Sequence, residues 1–248
     1  MSKIAIIVAM ERELAPLVRG WKRSSIDCAG RMVACFESQE MVAVAGGIGC
    51  KNAEHAAKAV VAHYHPESLV SAGLAGALIR SLKIGSIVTP NVIVDAATGT
   101  EYRCATGGGS IGGGILVSTD EVTGAETKQK LVEHFHALIV DMEAAGVARV
   151  AQQAGLGFRC VKAISDEADF VMPPLSRFVD AEGRFQTSRF AGWAAFRPRY
   201  WAKIAALARN SRRATEVLCG WLRQNVSSGL PAGKVVTLEG AEFSEAKN

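Results

Sequence analysis

The feature that most constrains this chain is a run of six apolar residues at its start, Ile-Ala-Ile-Ile-Val-Ala at 4–9, closed by Met10 and Glu11. A β-branched run without polar alternation fits a strand buried on both faces, so the fold must supply a covering layer on each side. The rest of the chain offers such layers in alternation. Residues 10–18 place Leu14, Leu17 and Val18 at helical spacing, and short strands are expected at 32–36 and 42–45. Gly46, Gly47 and Gly49 then break the chain before a helix over 51–63, whose Ala53, Ala56, Ala57, Val60 and Val61 share one face. Strands follow at 69–72, 87–94 and 115–117. A strand at 138–140 leads into a helix over 142–154, residues 158–164 form the last strong strand, and a long helix runs from beyond Pro198 to about 224. Strand–helix alternation of this kind implies one α/β domain. We expect a single three-layer domain over 1–226, with a central mixed, mostly parallel twisted sheet flanked by helices, and a loosely held tail over 227–248.

Composition narrows the class further. Hydrophobic residues make up 49% of the 248, and 28 basic against 24 acidic residues leave a net charge of only +4. Disorder is excluded, and no nucleic-acid partner is indicated. The six cysteines form no CxxC pair, which fits free buried thiols in a reducing compartment. The first apolar run is too short for a signal peptide or a membrane span, so a cytoplasmic location is expected. The Gly-rich stretch 107–114 lacks the Gly-Lys-Ser/Thr ending of a phosphate loop and is read as a loop at a pocket edge. His63-Tyr-His65 and His134-Phe-His136 have no neighbouring ligand cluster. They are read as surface or cap residues, with no metal and no cofactor.

Three carboxylates fall where strands end, the usual place for ligands in open α/β sheets: Glu13, Glu143 and Asp166. Each also has a plainer role available, as a complement to a helix N-terminus or as a helix cap. The words around them are more specific. Ala9-Met10-Glu11-Arg12-Glu13, Gly46-Gly-Ile-Gly49, Ala72-Gly73-Leu74-Ala75-Gly76, Lys83-Ile-Gly85-Ser-Ile-Val88, Val140-Asp141-Met142-Glu143-Ala144 and Lys162-Ala163-Ile164-Ser165-Asp166 occur in that order. Together they resemble the nucleoside phosphorylase superfamily over about residues 3–170, and most closely its methylthioadenosine/S-adenosylhomocysteine nucleosidases.

That resemblance implies an N-glycosidic cleavage of a purine nucleoside. Asp166 matches the general acid that protonates or hydrogen-bonds N7 of the departing base, and Ser165 precedes it. Glu143 matches the residue that holds the ribose hydroxyls, with Met142 beneath the sugar. Glu13 matches the carboxylate that activates water, an arrangement parallel to that of glycoside hydrolases. The resemblance also shows departures. Leu74 stands where the nucleosidases have Ser, and Lys162 where they have Arg. Their base-stacking aromatic residue falls near Val122. Phosphorolysis is the alternative to hydrolysis, with amides at Gly46, Gly47 and Gly49 and the side chains of Arg12 or Arg31 as phosphate contacts. Against it, the phosphorylase word Gly-Asp-Pro-x-Arg is absent and Glu13 would repel a phosphate dianion. A non-catalytic nucleoside-binding module is a further alternative, disfavoured by the retention of all three carboxylates.

Residues 170–221 depart from the rest. Nine arginines and lysines, within 177–213, face only Asp180, Glu182 and Glu216, and Phe178, Phe185, Phe190, Trp193, Phe196, Tyr200 and Trp201 are interleaved. We read this segment as a capping helix whose aromatics pack on the sheet and whose arginines face water. The alternatives are contact with an acidic partner or with an anionic bilayer surface. Hopanoid-associated phosphorylases resemble this combination of core and tail, which makes a lipid-linked nucleoside such as adenosylhopane an alternative substrate. The expected partners are thus a nucleoside with water or phosphate and a second copy in a homodimer, since the resemblance implies dimers or trimers of dimers.

Overall fold

The computed structural model describes residues 3–104, 111–120, 124–180, 183–226 and 236–238. The first apolar run forms β1 (Ile4–Val8), followed by a single helical turn, α1 (Glu11–Leu14). The helix expected over 10–18 stops there because Pro16 has no N–H for the next turn. A hairpin of β2 (Lys22–Asp27) and β3 (Met32–Glu37) leads to β4 (Met41–Ala45), which lies parallel to β1. α2 (Cys50–Tyr64) follows the Gly46–Gly49 turn and delivers the chain to β5 (Ser68–Ala77).

β5 organises the sheet. It runs well past the 69–72 expected, because Gly73, Ala75 and Gly76 present too little side chain to signal a strand. Its first half pairs with β1 in parallel. The apolar stretch at 87–94 is divided at Pro90 into β6 (Ile87–Thr89) and β7 (Val92–Asp95), since proline lacks the ladder donor. β8 (Glu101–Arg103), β9 (Ile111–Gly112) and β10 (Ile115–Ser118) precede α3 (Ala125–Phe135), a helix too polar to stand out in the sequence. β11 (Ile139–Asp141) meets the end of β5 antiparallel, and α4 (Ala144–Gln153) starts directly after it. β12 (Gly157–Asp166) pairs with β5 in parallel along its length. Two helices close the described domain, α5 (Thr187–Ala195) and α6 (Trp201–Asn225).

α2 and α4 cover one face of the sheet, and α1 with the second half of α6 covers the other. β5 shows why three layers are needed: Leu69, Ala75 and Ala77 point to one core, and Val70 and Ala72 to the opposite one. Two expectations for the outer parts change. Within the tail, β13 (Val236–Leu238) adds antiparallel to β8 at the sheet edge. The aromatics of the arginine-rich segment do not pack on the sheet: α5 has no buried residue, and the buried residues of α6 begin at Ala214. His65 and His136 occupy left-handed C-cap positions of α2 and α3, where their N–H groups bond Val61 O and Val132 O. Among the described residues, no helix is long and apolar enough to cross a membrane.

Candidate active site

The carboxyl ends of β1, β5, β11 and β12 converge on one cavity of about 600 Å³. Glu13, Met142, Glu143, Ser165, Asp166 and Leu74 all line it. Chain pairing explains the convergence. Gly76 of β5 lies between Val140 of β11 and Asp166 of β12, so three strand ends meet at a single residue. A β-carbon on Gly76 would stand 2.9 Å from Asp166 Oδ2 and 3.3 Å from a Val140 methyl, which leaves no room for a side chain. The register of β12 against β5 slips between Ile164 and Asp166, and this bulge at Ser165 turns Asp166 toward the cavity.

Asp166 is well anchored. Ser165 Oγ donates to Asp166 Oδ1 at 3.0 Å, and Lys128 of α3 makes an ion pair with Oδ2 at 2.6 Å while also donating to Glu167 O at 3.2 Å. Both members of the pair are almost fully buried. Lys128 was not legible as a site residue, because it sits in a polar helix 38 residues away from Asp166 with no motif around it.

Glu143 caps the approach to α4. Its Oε1 accepts from Gly49 N at 3.0 Å and its Oε2 from Met142 N at 3.3 Å. Burial, reinforced by Asp141 beside it, pushes its carboxyl up to about 7. Glu13 is 3% exposed, and its Oε2 has no hydrogen-bond partner among the described residues. Burial raises the Glu13 carboxyl above the ordinary range, although Lys162 and Arg12 pull the other way. The backbone makes room for it at Gly73, whose φ of +147° excludes most side chains and whose absent β-carbon would fall 3.3 Å from Glu13 Oε2.

Lys162 is fully buried and lies behind the cavity rather than on its lining. Its Nζ is 2.7 Å from Asp141 Oδ2. Burial works against this charge, yet Asp141, with Cys160 and Glu143, holds the ammonium above the ordinary lysine range. Asp141 is itself fixed by Ser118 Oγ at 2.6 Å and by Ala144 N at 3.0 Å. Lys162 therefore acts as a counter-ion for the carboxylate floor, not as a contact for a ligand.

The Gly46–Gly49 turn differs from its expected use. Gly46 N donates to Val8 O, Gly47 N to Ala9 O, Ile48 N to Gly183 O and Gly49 N to Glu143 Oε1. All four amides are spent inside the protein, so Gly47 shapes the turn and Ile48 lines the cavity in its place. Arg31 reaches Gly46 O and Asn52 Oδ1, whereas Arg12 lines the cavity. Val122 lies outside the described residues. Leu175, Val179, Phe185, Phe190, Ile204 and Leu207 form an apolar stretch of the cavity wall, with Arg19, Arg212 and Glu216 also on the lining.

The family model described as the phosphorylase superfamily matches residues 3–112 and 110–188, about three-quarters of the chain. A 5′-methylthioadenosine/S-adenosylhomocysteine nucleosidase of Staphylococcus epidermidis is 28% identical over 200 residues, covering 67% of this chain and 87% of that protein. An aminodeoxyfutalosine nucleosidase of Helicobacter pylori is 25% identical over 201 residues, covering 68% and 87%. The fold is similar to that of the Neisseria meningitidis 5′-methylthioadenosine/S-adenosylhomocysteine nucleosidase in complex with methylthio-immucillin-A. That likeness has a TM-score of 0.70 at 19% identity and covers 92% of this chain and 100% of that one.

Proposed function

The chain belongs to the phosphorylase superfamily, and from that premise we propose that it hydrolyses the N-glycosidic bond of a purine nucleoside, a 5′-substituted adenosine of the methylthioadenosine/S-adenosylhomocysteine type. Asp166 hands N7 a proton drawn from the Lys128 ammonium paired with it, as the C1′–N9 bond breaks and its electron pair leaves with the base. Protonation is needed because a purine anion is a poor leaving group at neutral pH. Glu143 accepts hydrogen bonds from the ribose hydroxyls, and its charge stabilises the oxocarbenium character that develops at C1′. Water adds to C1′ from the opposite face and gives its proton to Glu13. The products are the free base and the free sugar.

One observation carries hydrolysis over phosphorolysis. Glu13 presents a buried oxygen with no partner among the described residues, and the four amides of the neighbouring Gly46–Gly49 turn are already committed. A carboxylate raised by burial is a fitting base for water and a poor neighbour for a phosphate dianion. Incubation with methylthioadenosine, S-adenosylhomocysteine, adenosine and inosine, with and without phosphate, tests this. Free sugar released without phosphate is the expected result, and ribose 1-phosphate would overturn it.

A second reading is favoured by the apolar stretch of the cavity wall, which exceeds what a methylthio group needs. On that reading the 5′ substituent is a lipid, as in adenosylhopane, and Leu74 is part of its apolar path. Release of adenine from adenosylhopane, but not from methylthioadenosine, would establish it.

A further inference from the structure

Residues 183–215 contain eight arginines and lysines and no aspartate or glutamate. Among the described residues, Arg184 pairs with Asp180 and Arg212 with Glu216, at the two ends of this stretch. It is also the least buried part of the described chain. α5 has no buried residue and packs on 175–178 and 198–200, and the first half of α6 buries none. The aromatics hold one another: Trp193 lies 5.4 Å from Phe178, 6.0 Å from Phe190 and 5.0 Å from Tyr200, centroid to centroid. Arg197 and Arg199 lie over Trp193 and Tyr200, each at 4.9 Å. Outside this stack stand Phe196, 85% exposed, and Trp201, 55% exposed. The Trp201 indole N–H already donates to Ala194 O at 2.8 Å, so the ring offers mainly carbon to its surroundings.

We propose that this arm docks the protein on an anionic phospholipid bilayer. Phe196 and Trp201 enter the boundary between headgroups and acyl chains, while the exposed Arg199, Lys203 and Arg209 meet lipid phosphates. Charge selects this occupant. A second copy seated on the same arm in a two-fold contact would set cation against cation. The cavity supports the same choice. Ile204, Leu207 and Ala208, one turn further along α6, form part of the apolar cavity wall, so docking brings that wall beside the membrane. The proposal stands whichever nucleoside the cavity takes.

Co-sedimentation of the full chain with phosphatidylcholine vesicles, with and without phosphatidylglycerol, tests it. Binding is expected only with phosphatidylglycerol, weakening as salt is raised. Arg199→Gln with Lys203→Gln should weaken binding about 25-fold, at about fivefold per cation. Phe196→Ser with Trp201→Ser should abolish retention at moderate salt while thermal melting is unchanged. No binding to phosphatidylglycerol vesicles at low salt, or equal binding by these variants, overturns the proposal. So does tighter binding to duplex DNA that the same substitutions remove.

Discussion

Lys162→Met tests the electrostatic design of the cavity floor most directly. Lys162 is fully buried, 2.7 Å from Asp141, and its charge also opposes those of Glu13 and Glu143. Methionine keeps most of the volume and removes the cation, leaving buried carboxylates without their counter-ion. Breaking a buried pair in this way costs about 3–5 kcal/mol. At roughly 2–4 °C per kcal/mol for a chain of this size, that is a fall in Tm of about 6–20 °C. The pH dependence is the sharper readout. The lysine's folded-state value is raised above the ordinary 10.5, so its stabilising contribution is complete below that pH and lost only above it. Between pH 5 and 8 the lysine itself is thus constant, and any change in the deficit comes from the carboxylates. Without Lys162 they take up protons more readily, so the deficit should be largest near pH 8 and shrink toward pH 5. Urea unfolding of parent and variant at both pH values measures this. A deficit below about 1 kcal/mol at pH 8 would refute the counter-ion role. So would a deficit that does not change with pH.

Four further outcomes are expected. With the Glu143 carboxyl at about 7, kcat/KM should rise with pH through that region as the ribose-binding carboxylate ionises; Glu143→Gln should move this limb, and an unmoved profile would assign it to another group. Asp166→Asn should lower purine release by about 10²–10⁴-fold, the usual worth of a positioned acid, as measured by free adenine. Lys128→Met should lower kcat more than it changes KM, because it frees Asp166 without touching the sugar site. Gly76→Ala should cost about 1–3 kcal/mol of stability and on the order of 100-fold in turnover, because its β-carbon displaces Asp166; near-parental kinetics would show that the carboxylate has slack.

The sequence by itself determined the layered α/β plan. A β-branched run such as 4–9 has only one economical use, and glycines at 46–49 and 73–76 mark turns and close approaches through local rules. The words around Glu13, Glu143 and Asp166 likewise identified residues that the structure brings to one cavity. Tertiary structure decided what each of these groups faces. Whether the amides of 46–49 are free depends on the carbonyls of Val8 and Ala9, on Gly183 and on Glu143, none of them readable from the turn. Lys162 stands in a word the sequence singles out and Lys128 in none, yet neither lysine's partner can be read along the chain. One pairs with Asp166 and the other neutralises Asp141, through contacts spanning 38 residues and across neighbouring strand ends. The aromatic-arginine segment carried a composition compatible with a packed cap. Only the packing of α5 and α6 left Phe196 and Trp201 in the open. Periodicity and turn chemistry are local and can be read along the chain, whereas burial and pairing depend on which distant residues the sheet brings together.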